Sequence, residues 1–248
     1  MQNTAPAFPP SGELPNRVGI LVPGSNTTCE AELNRAGFPG LSFHAARMAL
    51  PKADDDATMA ARLRDAMAPP LKDLSACQLD LAMLGCTSAA MALGAPESVA
   101  LMEGAKAARA RDVGTAIVEA LRHLGLRRIA LFTPYLPATN DRVIAYLAEA
   151  GIATTASLGL GLNASMELFR GVSRMTRAAL LEHFAKLDHS GADGILVCCT
   201  DLPTMGVLEA MEALTGKPVV SSNQAMVWAV SQHFGRRPAL APGRLFAA

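Results

Sequence analysis

The stretch Leu79-Asp-Leu-Ala-Met-Leu-Gly-Cys86-Thr-Ser88 decides the fold, because it recurs as Ala192-Asp-Gly-Ile-Leu-Val-Cys-Cys199-Thr-Asp201. Each stretch is a short apolar run that follows an Asp and ends in a Cys-Thr pair. Runs that are apolar at successive positions are typical of parallel strands buried on both faces. Both thiols are therefore predicted to lie where a buried strand ends.

Two further stretches repeat at nearly the same distance. Arg17-Val-Gly-Ile-Leu-Val-Pro23 opens the first half, and Arg128-Ile-Ala-Leu-Phe-Thr-Pro134 begins 111 residues later, while the two Cys-Thr pairs are 113 residues apart. The nearly equal offsets indicate an internal duplication; chance similarity between two α/β units is the alternative. A duplicated pair of units predicts a pseudo-twofold cleft with one Cys on each wall.

The composition limits the classes of protein to which the chain belongs. Half of the 248 residues are apolar and 18% are charged, with 22 basic and 22 acidic residues. This balance lacks the basic surface that nucleic-acid or anionic-membrane binding requires, so we expect neither partner. The apolar stretches are interrupted too early for a transmembrane helix. The high apolar fraction favours a well-buried sheet, an oligomer interface or both, and we expect a homodimer or higher homo-oligomer.

Cysteine and histidine usage predicts the compartment and argues against a metal site. The five cysteines are odd in number, irregularly spaced and preceded by no signal peptide, which favours a reducing, cytoplasmic compartment. The five histidines fall in none of the usual zinc spacings, so no metal is expected.

Strand-like and helix-like segments alternate along the chain, which predicts an α/β fold with two pseudo-symmetric parallel-sheet domains and the active site in the cleft between them. Residues 1–16 contain four prolines and are predicted to be a disordered leader. Residues 17–115 are predicted to form the N-terminal domain, completed by the C-terminal helix 224–234. Residues 116–223 are predicted to form the C-terminal domain.

Several element boundaries are predicted from apolar periodicity and turn residues. We expect helices from the acidic run Asp54–Asp56 to about Pro69, over about 99–108, over about 116–124 and over about 176–188. A last strand is expected at 217–220, and the polar residues 221–224 are expected to cap the final helix.

The ends of buried parallel strands are where ligands bind, next to exposed backbone N–H groups and helix N-termini. A partly exposed thiol in that position is expected to have a lowered pKa. The loop Pro23-Gly-Ser-Asn26-Thr-Thr28 also follows a predicted strand. One polar residue is enough to cap the following helix, so four in succession indicate donors that converge on an anion such as a carboxylate.

The motifs resemble the maleate cis-trans isomerases, which belong with arylmalonate decarboxylase and the aspartate/glutamate racemases to a cofactor-independent superfamily. The resemblance extends from about Arg17 to Phe234. The motifs that carry it are Val22-Pro-Gly-Ser25-Asn26-Thr27-Thr28, Phe43-His-Ala-Ala-Arg47-Met48, Gly85-Cys86-Thr87-Ser88, Thr133-Pro-Tyr135, Leu162-Asn163 and Cys199-Thr200-Asp201-Leu202.

The resemblance implies a role for each matched residue. Cys86 is implied as the nucleophilic thiolate and Cys199 as the opposing thiol that donates and recovers a proton. The residues implied to bind the two carboxylates are Asn26, Tyr135 and Asn163, with backbone N–H groups around Thr87-Ser88 and Thr200-Asp201. Helix capping accounts nearly as well for Thr27, Thr28, Thr87 and Thr200. Arg47 is expected to bind a carboxylate or to form an ion pair. No cofactor is implied.

Three competing functions fit parts of this pattern. Arylmalonate decarboxylase resembles the chain less, because it has Gly where this chain has Cys86. Racemases use two cysteines as acid and base on opposite faces of a Cα–H bond. A non-catalytic dicarboxylate-binding protein needs no paired thiols. Gly24, Cys198 and Asp201 depart from the isomerase pattern, and Asp201 is expected either to repel an anionic substrate or to take part in proton transfer.

Overall fold

The chain forms two four-stranded parallel sheets with the same strand order. The structure is a computed structural model that describes residues 15–51 and 55–247. The first sheet has the order β2-β1-β3-β4, built from β1 (Asn16–Pro23), β2 (Leu41–Met48), β3 (Leu81–Leu84) and β4 (Arg109–Asp112). The second has the order β6-β5-β7-β8, built from β5 (Arg128–Thr133), β6 (Ala153–Gly159), β7 (Gly194–Val197) and β8 (Val219–Ser221). The predicted α/β class with two like halves is confirmed.

Helices connect the strands in both halves. In the first half these are α1 (Cys29–Arg35), α2 (Asp56–Ser75), α3 (Thr87–Leu93), α4 (Ala95–Met102) and α5 (Val113–His123). In the second half they are α6 (Pro137–Glu149), α7 (Met166–Arg170), α8 (Arg177–Phe184), α9 (Leu208–Thr215) and α10 (Ser222–Phe234).

The two cysteine-bearing strands lie inside their sheets. β3 pairs with β1 and β4, β7 pairs with β5 and β8, and every residue of β3 and β7 is buried. The edge strand β6 instead alternates between exposed and half-buried residues. This contrast explains why the sequence predicts β3 and β7 so clearly, because a strand covered on both faces needs an apolar residue at each position.

The final helix packs against elements of the first half. α10 contacts α5 extensively and also contacts α1. Ser221 begins α10 with a capping box, in which its hydroxyl accepts from the backbone N–H of Gln224 and the Gln224 side chain accepts from the Ser221 backbone. The predicted cap is therefore confirmed.

The division into domains stays a prediction. Most of the predicted leader lies outside the described residues, and so does Asp54.

Three predicted helix boundaries were wrong. α2 does not end near Pro69 but continues through Pro69 and Pro70 to Ser75, because Leu63, Met67 and Leu71 bury one face of it. Burial of that face offsets the helix-breaking effect of proline. α5 begins at Val113 rather than 116, since the Asp112 carboxylate caps it by accepting from the Thr115 N–H. α8 ends at Phe184, before the turn in which Asp188 accepts from the Ser190 N–H.

The segment between β3 and α5 also differs from expectation. The helix expected over 99–108 is α4, which spans Ala95–Met102 and is followed by a short 3-10 turn. The strand β4 was missed because Arg109 and Arg111 interrupt its apolar pattern. Charged residues are tolerated there because β4 pairs on one side only, with β3, and lies at the edge of the sheet.

Candidate active site

A cavity of about 630 Å³ lies between the two halves. From the first half it is lined by Gly24 and Ser25 of the loop after β1 and by Ser88 at the start of α3. From the second half it is lined by Tyr135 and Asn163. Ser88, Tyr135 and Asn163 are predicted site residues, and Gly24 and Ser25 belong to the loop that was predicted to bind an anion. The other predicted site residues do not line the cavity: Cys86, Cys199, Asn26, Thr87 and Thr200.

Cys86 lies between the end of β3 and the start of α3. It is the N-cap residue of α3 and is 3% exposed. Its Sγ lies 3.5 Å from the Ser88 hydroxyl oxygen. Burial raises the pKa of the Cys86 thiol, while the Ser88 hydroxyl and the backbone N–H groups of Ser88 and Ala89 oppose that rise. The start of α3 therefore favours the thiolate.

Cys199 occupies the equivalent position after β7, and it is also 3% exposed. The Asp201 backbone N–H donates to its Sγ at 3.4 Å. Burial raises the pKa of Cys199 to about 12, although hydrogen bonds from the Tyr135 hydroxyl and the Asp201 N–H lower it. The Tyr135 pKa is raised well above its ordinary value, mainly by burial. Tyr135 therefore stays protonated and is a hydrogen-bond donor.

The expectation of partly exposed thiols with lowered pKa values was wrong. Both cysteines are buried, and burial is the largest influence on each pKa. The prediction considered only the helix ends, whereas a low-dielectric environment penalises a thiolate more strongly. Neither cysteine is among the described residues that line the cavity, but each thiol contacts one residue that does, Ser88 for Cys86 and Tyr135 for Cys199.

Asn26 and Thr200 join the two halves through a direct hydrogen bond. The Asn26 Oδ1 accepts from the backbone N–H groups of Thr28 and Cys29, each at 3.0 Å, which fixes the start of α1. The Asn26 Nδ2 donates to the Thr200 hydroxyl at 3.0 Å. That hydroxyl donates in turn to the Gly85 carbonyl at 2.9 Å. This chain of hydrogen bonds fixes the cysteine loops relative to each other.

Asn163 fixes the loop that carries Tyr135. Its Oδ1 accepts from the Leu136 N–H at 2.5 Å, and its Nδ2 donates to the Thr139 hydroxyl at 3.1 Å. A side chain at Gly159 would clash with the Tyr135 carbonyl oxygen, so glycine is required where β6 passes this loop. Asn163 lines the cavity while holding the loop in place.

The remaining predicted residues lie close to the cysteines but differ in orientation. The Thr87 hydroxyl donates to Ser222 at the start of α10, and Thr87 is buried. The Thr28 hydroxyl donates to the Asp201 carbonyl, and the Thr27 N–H donates to the Asp201 Oδ1. The Cys198 side chain contacts Ser222, and burial raises its pKa. These contacts place the side chains of Thr28, Thr87 and Cys198 in the packing around the two thiols, whereas Thr27 is exposed and contributes its backbone N–H.

Arg47 forms the ion pair that was one of its two predicted roles. Its guanidinium lies 2.9 Å from the Glu30 carboxylate and donates to the Asn26 carbonyl at 2.6 Å. It therefore supports the loop after β1 from the exposed side.

Sequence reasoning missed two groups of residues. Arg62 on α2 and Arg142 on α6 line the cavity from opposite halves, and their charges favour an anionic ligand. Glu32 on α1 is buried and contacts Asn223 on α10, 191 residues away. Helical periodicity assigns such residues to a face of a helix, but it does not show which distant element that face meets.

The described residues contain no group of three or more His, Cys, Asp or Glu side chains arranged to hold a metal ion. Among the helices in this part of the chain, none is long and apolar enough to cross a membrane.

The protein has two like sheets, and a cysteine lies at the end of an interior strand in each. These features define a class of α/β proteins with a thiol from each half at the cleft. A family model described as arylmalonate decarboxylase matches residues 18–246, and the chain belongs to this family. The maleate isomerase of Nocardia farcinica is 31% identical over 228 residues, which cover 86% of this chain and 88% of the relative. The predicted resemblance is thereby confirmed.

Two solved structures extend the comparison to the whole fold. A Cys→Ala variant of the maleate isomerase Iso from Pseudomonas putida S16, with maleate, is 25% identical with a TM-score of 0.80 and covers 94% of this chain and 97% of that one. A Cys→Ser variant of the Nocardia farcinica maleate cis-trans isomerase, with a covalently bound succinylcysteine intermediate, is 25% identical with a TM-score of 0.76. It covers 93% of this chain and 97% of that one.

Proposed function

We propose that the chain catalyses the cofactor-independent cis-trans isomerisation of maleate, or of a close cis-enedioate, through a covalent adduct on Cys86. The observation that carries this proposal is the pair of thiols on equivalent strand ends, each in contact with one residue that lines the same cavity. The maleate isomerase relatives, one of them with a succinylcysteine intermediate, support the same reaction.

The reaction begins when the Cys86 thiolate adds to one alkene carbon. The new C–S bond takes its electrons from sulfur, and the π electrons move towards the far carboxylate as an enediolate. The former double bond is now a single bond, about which the adduct rotates. Ser88 and the first amides of α3 support the thiolate before addition and after its departure.

The charge that develops on the substrate needs fixed donors. Tyr135 and Asn163 line the cavity, and the amide of Asn26 lies beside Thr200 between the two cysteine loops. In the proposed function these three residues hold the two carboxylates, with backbone N–H groups near Ser88 and Thr200. Donors held in place before the reaction stabilise an enediolate without reorganisation. Arg62 and Arg142 attract the dianion to the cavity.

Cys199 acts as the opposing acid. Its pKa of about 12 keeps it protonated, so it has a proton to give to the carbanionic carbon of the adduct. The Cys199 thiolate formed in that step is stabilised by the Tyr135 hydroxyl and takes the proton back. The C–S bond then breaks, the double bond re-forms in the trans arrangement, and Cys86 is regenerated.

Decarboxylation of an arylmalonate is a second candidate, because the matching family model carries that description. A decarboxylase needs one thiol to protonate the enediolate that remains after loss of CO₂. The second buried thiol, Cys86, with amides directed at it, fits covalent addition better. Racemisation would use both thiols, but it requires a substrate with a Cα–H bond between them.

The decisive experiment follows maleate by proton NMR in the presence of purified protein and no cofactor. We expect fumarate from the wild type and none from Cys86→Ala or Cys199→Ala. Cys77→Ala is the matched control and should keep full activity, since Cys77 is half-buried and distant from the cavity lining. Unchanged maleate with the wild type, or full activity in Cys86→Ala, would contradict the proposal.

We also propose a cytoplasmic location and a homodimer or higher homo-oligomer. The odd number of cysteines, all free in the described residues, fits a reducing compartment. The half-apolar composition and the exposed Leu214 and Leu240 fit a subunit interface. A monomer by light scattering at micromolar concentration would contradict the oligomer.

A further inference from the structure

The peptide unit between Thr200 and Asp201 carries a backbone donor for Cys199. Its N–H, on Asp201, donates to the Cys199 Sγ at 3.4 Å, and this contact lowers the Cys199 pKa against the effect of burial. Its carbonyl, on Thr200, points the opposite way, because a trans peptide unit is planar and rigid. A contact that fixes the Thr200 carbonyl therefore also fixes the direction of the N–H that meets the thiol.

Asn223, near the start of α10, makes that contact. The residue is fully buried, and its Nδ2 donates to the Thr200 carbonyl at 3.1 Å. The same Nδ2 donates its second hydrogen to the Glu32 Oε2 at 2.6 Å. With the amide reversed, the Asn223 oxygen would face two acceptors, so these two contacts determine the orientation of the side chain.

This orientation leaves one polar atom of Asn223 without a partner. The Asn223 Oδ1 is buried and has no hydrogen-bond partner among the described residues. Native structures contain few such atoms, because each one is unfavourable. Apolar side chains that replace both members of a buried polar pair are often just as stable. Stability alone therefore gives little reason for a buried asparagine at this position.

Glu32 on α1 supports the Asn223 amide from the half that carries Cys86. Its Oε2 accepts from Asn223, and its Oε1 accepts from the Met205 backbone N–H at 2.9 Å. The loop after Cys199 is thereby held at both Thr200 and Met205. A carboxylate is a stronger acceptor than a neutral oxygen, which favours its use to hold the amide.

The first half needs no such support. The backbone N–H groups that favour the Cys86 thiolate belong to Ser88 and Ala89 in α3, and the helix itself fixes their direction. After β7 the next helix begins only at Leu208, so the amide beside Cys199 belongs to a loop. An amide in a loop needs contacts from other elements to hold it.

We propose that Asn223 and Glu32 are positioning residues for Cys199, because they orient the Thr200–Asp201 peptide so that its N–H stabilises the Cys199 thiolate. Neither is among the described residues that line the cavity, so both act through the peptide. The effect on turnover rests on the proposed function, in which Cys199 becomes a thiolate when it protonates the adduct. The effect on the ionisation of Cys199 does not.

Alkylation by iodoacetamide tests the proposal without turnover. The rate at Cys199 is measured in the Cys86→Ala background and the rate at Cys86 in the Cys199→Ala background. Tandem mass spectrometry separates Cys199 from Cys198. We expect Asn223→Leu to slow alkylation of Cys199 at least about 3-fold from about pH 7 to about pH 9, because a higher thiol pKa lowers the thiolate fraction more than it raises the nucleophilicity. The rate at Cys86 should not change.

Asn34→Leu is the matched control, since it makes the same change at an exposed position on the helix that carries Glu32. Glu32→Gln is the second variant and decides the matter if Asn223→Leu does not fold. It removes one of two acceptor oxygens, so the slowing at Cys199 should be smaller but in the same direction. Unchanged rates at Cys199, or faster alkylation of both thiols, would overturn the proposal, because the loss of a purely structural residue exposes both thiols alike.

Steady-state kinetics with maleate provide the second measurement. We expect Asn223→Leu to lower kcat about 10-fold, with a smaller change in KM, because Asn26, Tyr135 and Asn163 remain to hold the carboxylates. A higher KM with an unchanged kcat would overturn the role in turnover. If the wild type fails to convert maleate while alkylation at Cys199 is still selectively slowed, the proposed function fails and the positioning role stands.

Discussion

The two cysteines occupy the same place in two copies of one fold, yet their surroundings differ. After β3 the chain enters α3 at once, so Cys86 meets the first backbone N–H groups of a helix. After β7 the chain forms a loop, and α9 begins only at Leu208, so the hydroxyl of Tyr135 takes the corresponding place next to Cys199. The comparison teaches that duplication positions two thiols, while the segment that follows each strand determines which donors surround each thiol. In the proposed function this difference separates the attacking thiol from the one that holds a proton.

The largest expected effect separates these two roles. In Cys199→Ser the Cys86 thiolate still adds to maleate, and the enediolate takes its proton from the serine hydroxyl or from water. No thiolate is then present to remove that proton, so the succinyl adduct accumulates. In Cys86→Ser no adduct forms. Intact-protein mass spectrometry after incubation with maleate measures this, and turnover should fall at least about 10³-fold in both variants.

Peptide mapping locates the adduct, and Cys77→Ser serves as the control with normal turnover. An adduct on Cys199 in the Cys86→Ser protein would reverse the assignment of the two roles.

A smaller effect is expected when either of the two hydroxyls beside the thiols, that of Tyr135 or that of Ser88, is removed. Tyr135→Phe removes the donor that stabilises the Cys199 thiolate and should lower kcat/KM about 10²-fold. Ser88→Ala should lower it about 3- to 10-fold, because the contact with Cys86 is long at 3.5 Å and two backbone N–H groups remain. Steady-state kinetics with maleate measure both.

Tyr146→Phe is the matched control for Tyr135→Phe, since it removes the hydroxyl of the chain's other tyrosine, which lies beside Gly114. A greater loss in Ser88→Ala than in Tyr135→Phe would show that the first loop depends on its side chain rather than on its backbone.

The sequence predicted the strands that form the interior of each sheet, because their apolar runs and repeated Cys-Thr ends are local signals. It also located the loop after β1 and Tyr135, which line one cavity, and the two cysteines, each of which contacts one residue of the cavity lining. The edge strand β4 and the short helix α7 were missed, since neither is long or apolar enough to show a clear period.

What the sequence did not reveal depends on contacts between distant residues. Burial raises both thiol pKa values, and burial depends on the packing of the whole fold rather than on the sequence next to each cysteine. The contacts of Glu32 are with Met205 and Asn223, which are 173 and 191 residues away. Nothing within α1 distinguishes this glutamate from the exposed ones of an ordinary helix.

The smallest expected effect concerns Glu32. This residue joins the half that carries Cys86 to the half that carries Cys199. Burial raises the pKa of Glu32 from 4.5 to about 7, against the hydrogen bonds from Asn223 and the Met205 N–H, which lower it. The folded protein therefore holds a proton on Glu32 that the unfolded chain releases above about pH 4.5. The stabilisation from this proton is complete below that pH and is lost as pH rises through about 7.

We expect the free energy of unfolding of the wild type to fall with rising pH across this window, by up to about 3 kcal/mol from Glu32. Glu32→Gln is neutral at every pH, so its slope should be flatter even if the loss of one hydrogen bond lowers its stability throughout. Urea unfolding at intervals from about pH 4.5 to about pH 8 measures the slopes.

Asp201, whose pKa is also raised, contributes to the pH dependence of both proteins and cancels in the difference between their slopes. Glu182→Gln, at an exposed position on α8, should keep the wild-type slope. Parallel slopes for wild type and Glu32→Gln would mean that Glu32 is ionised in the folded protein, and that the junction between the halves is an anionic contact rather than a neutral one.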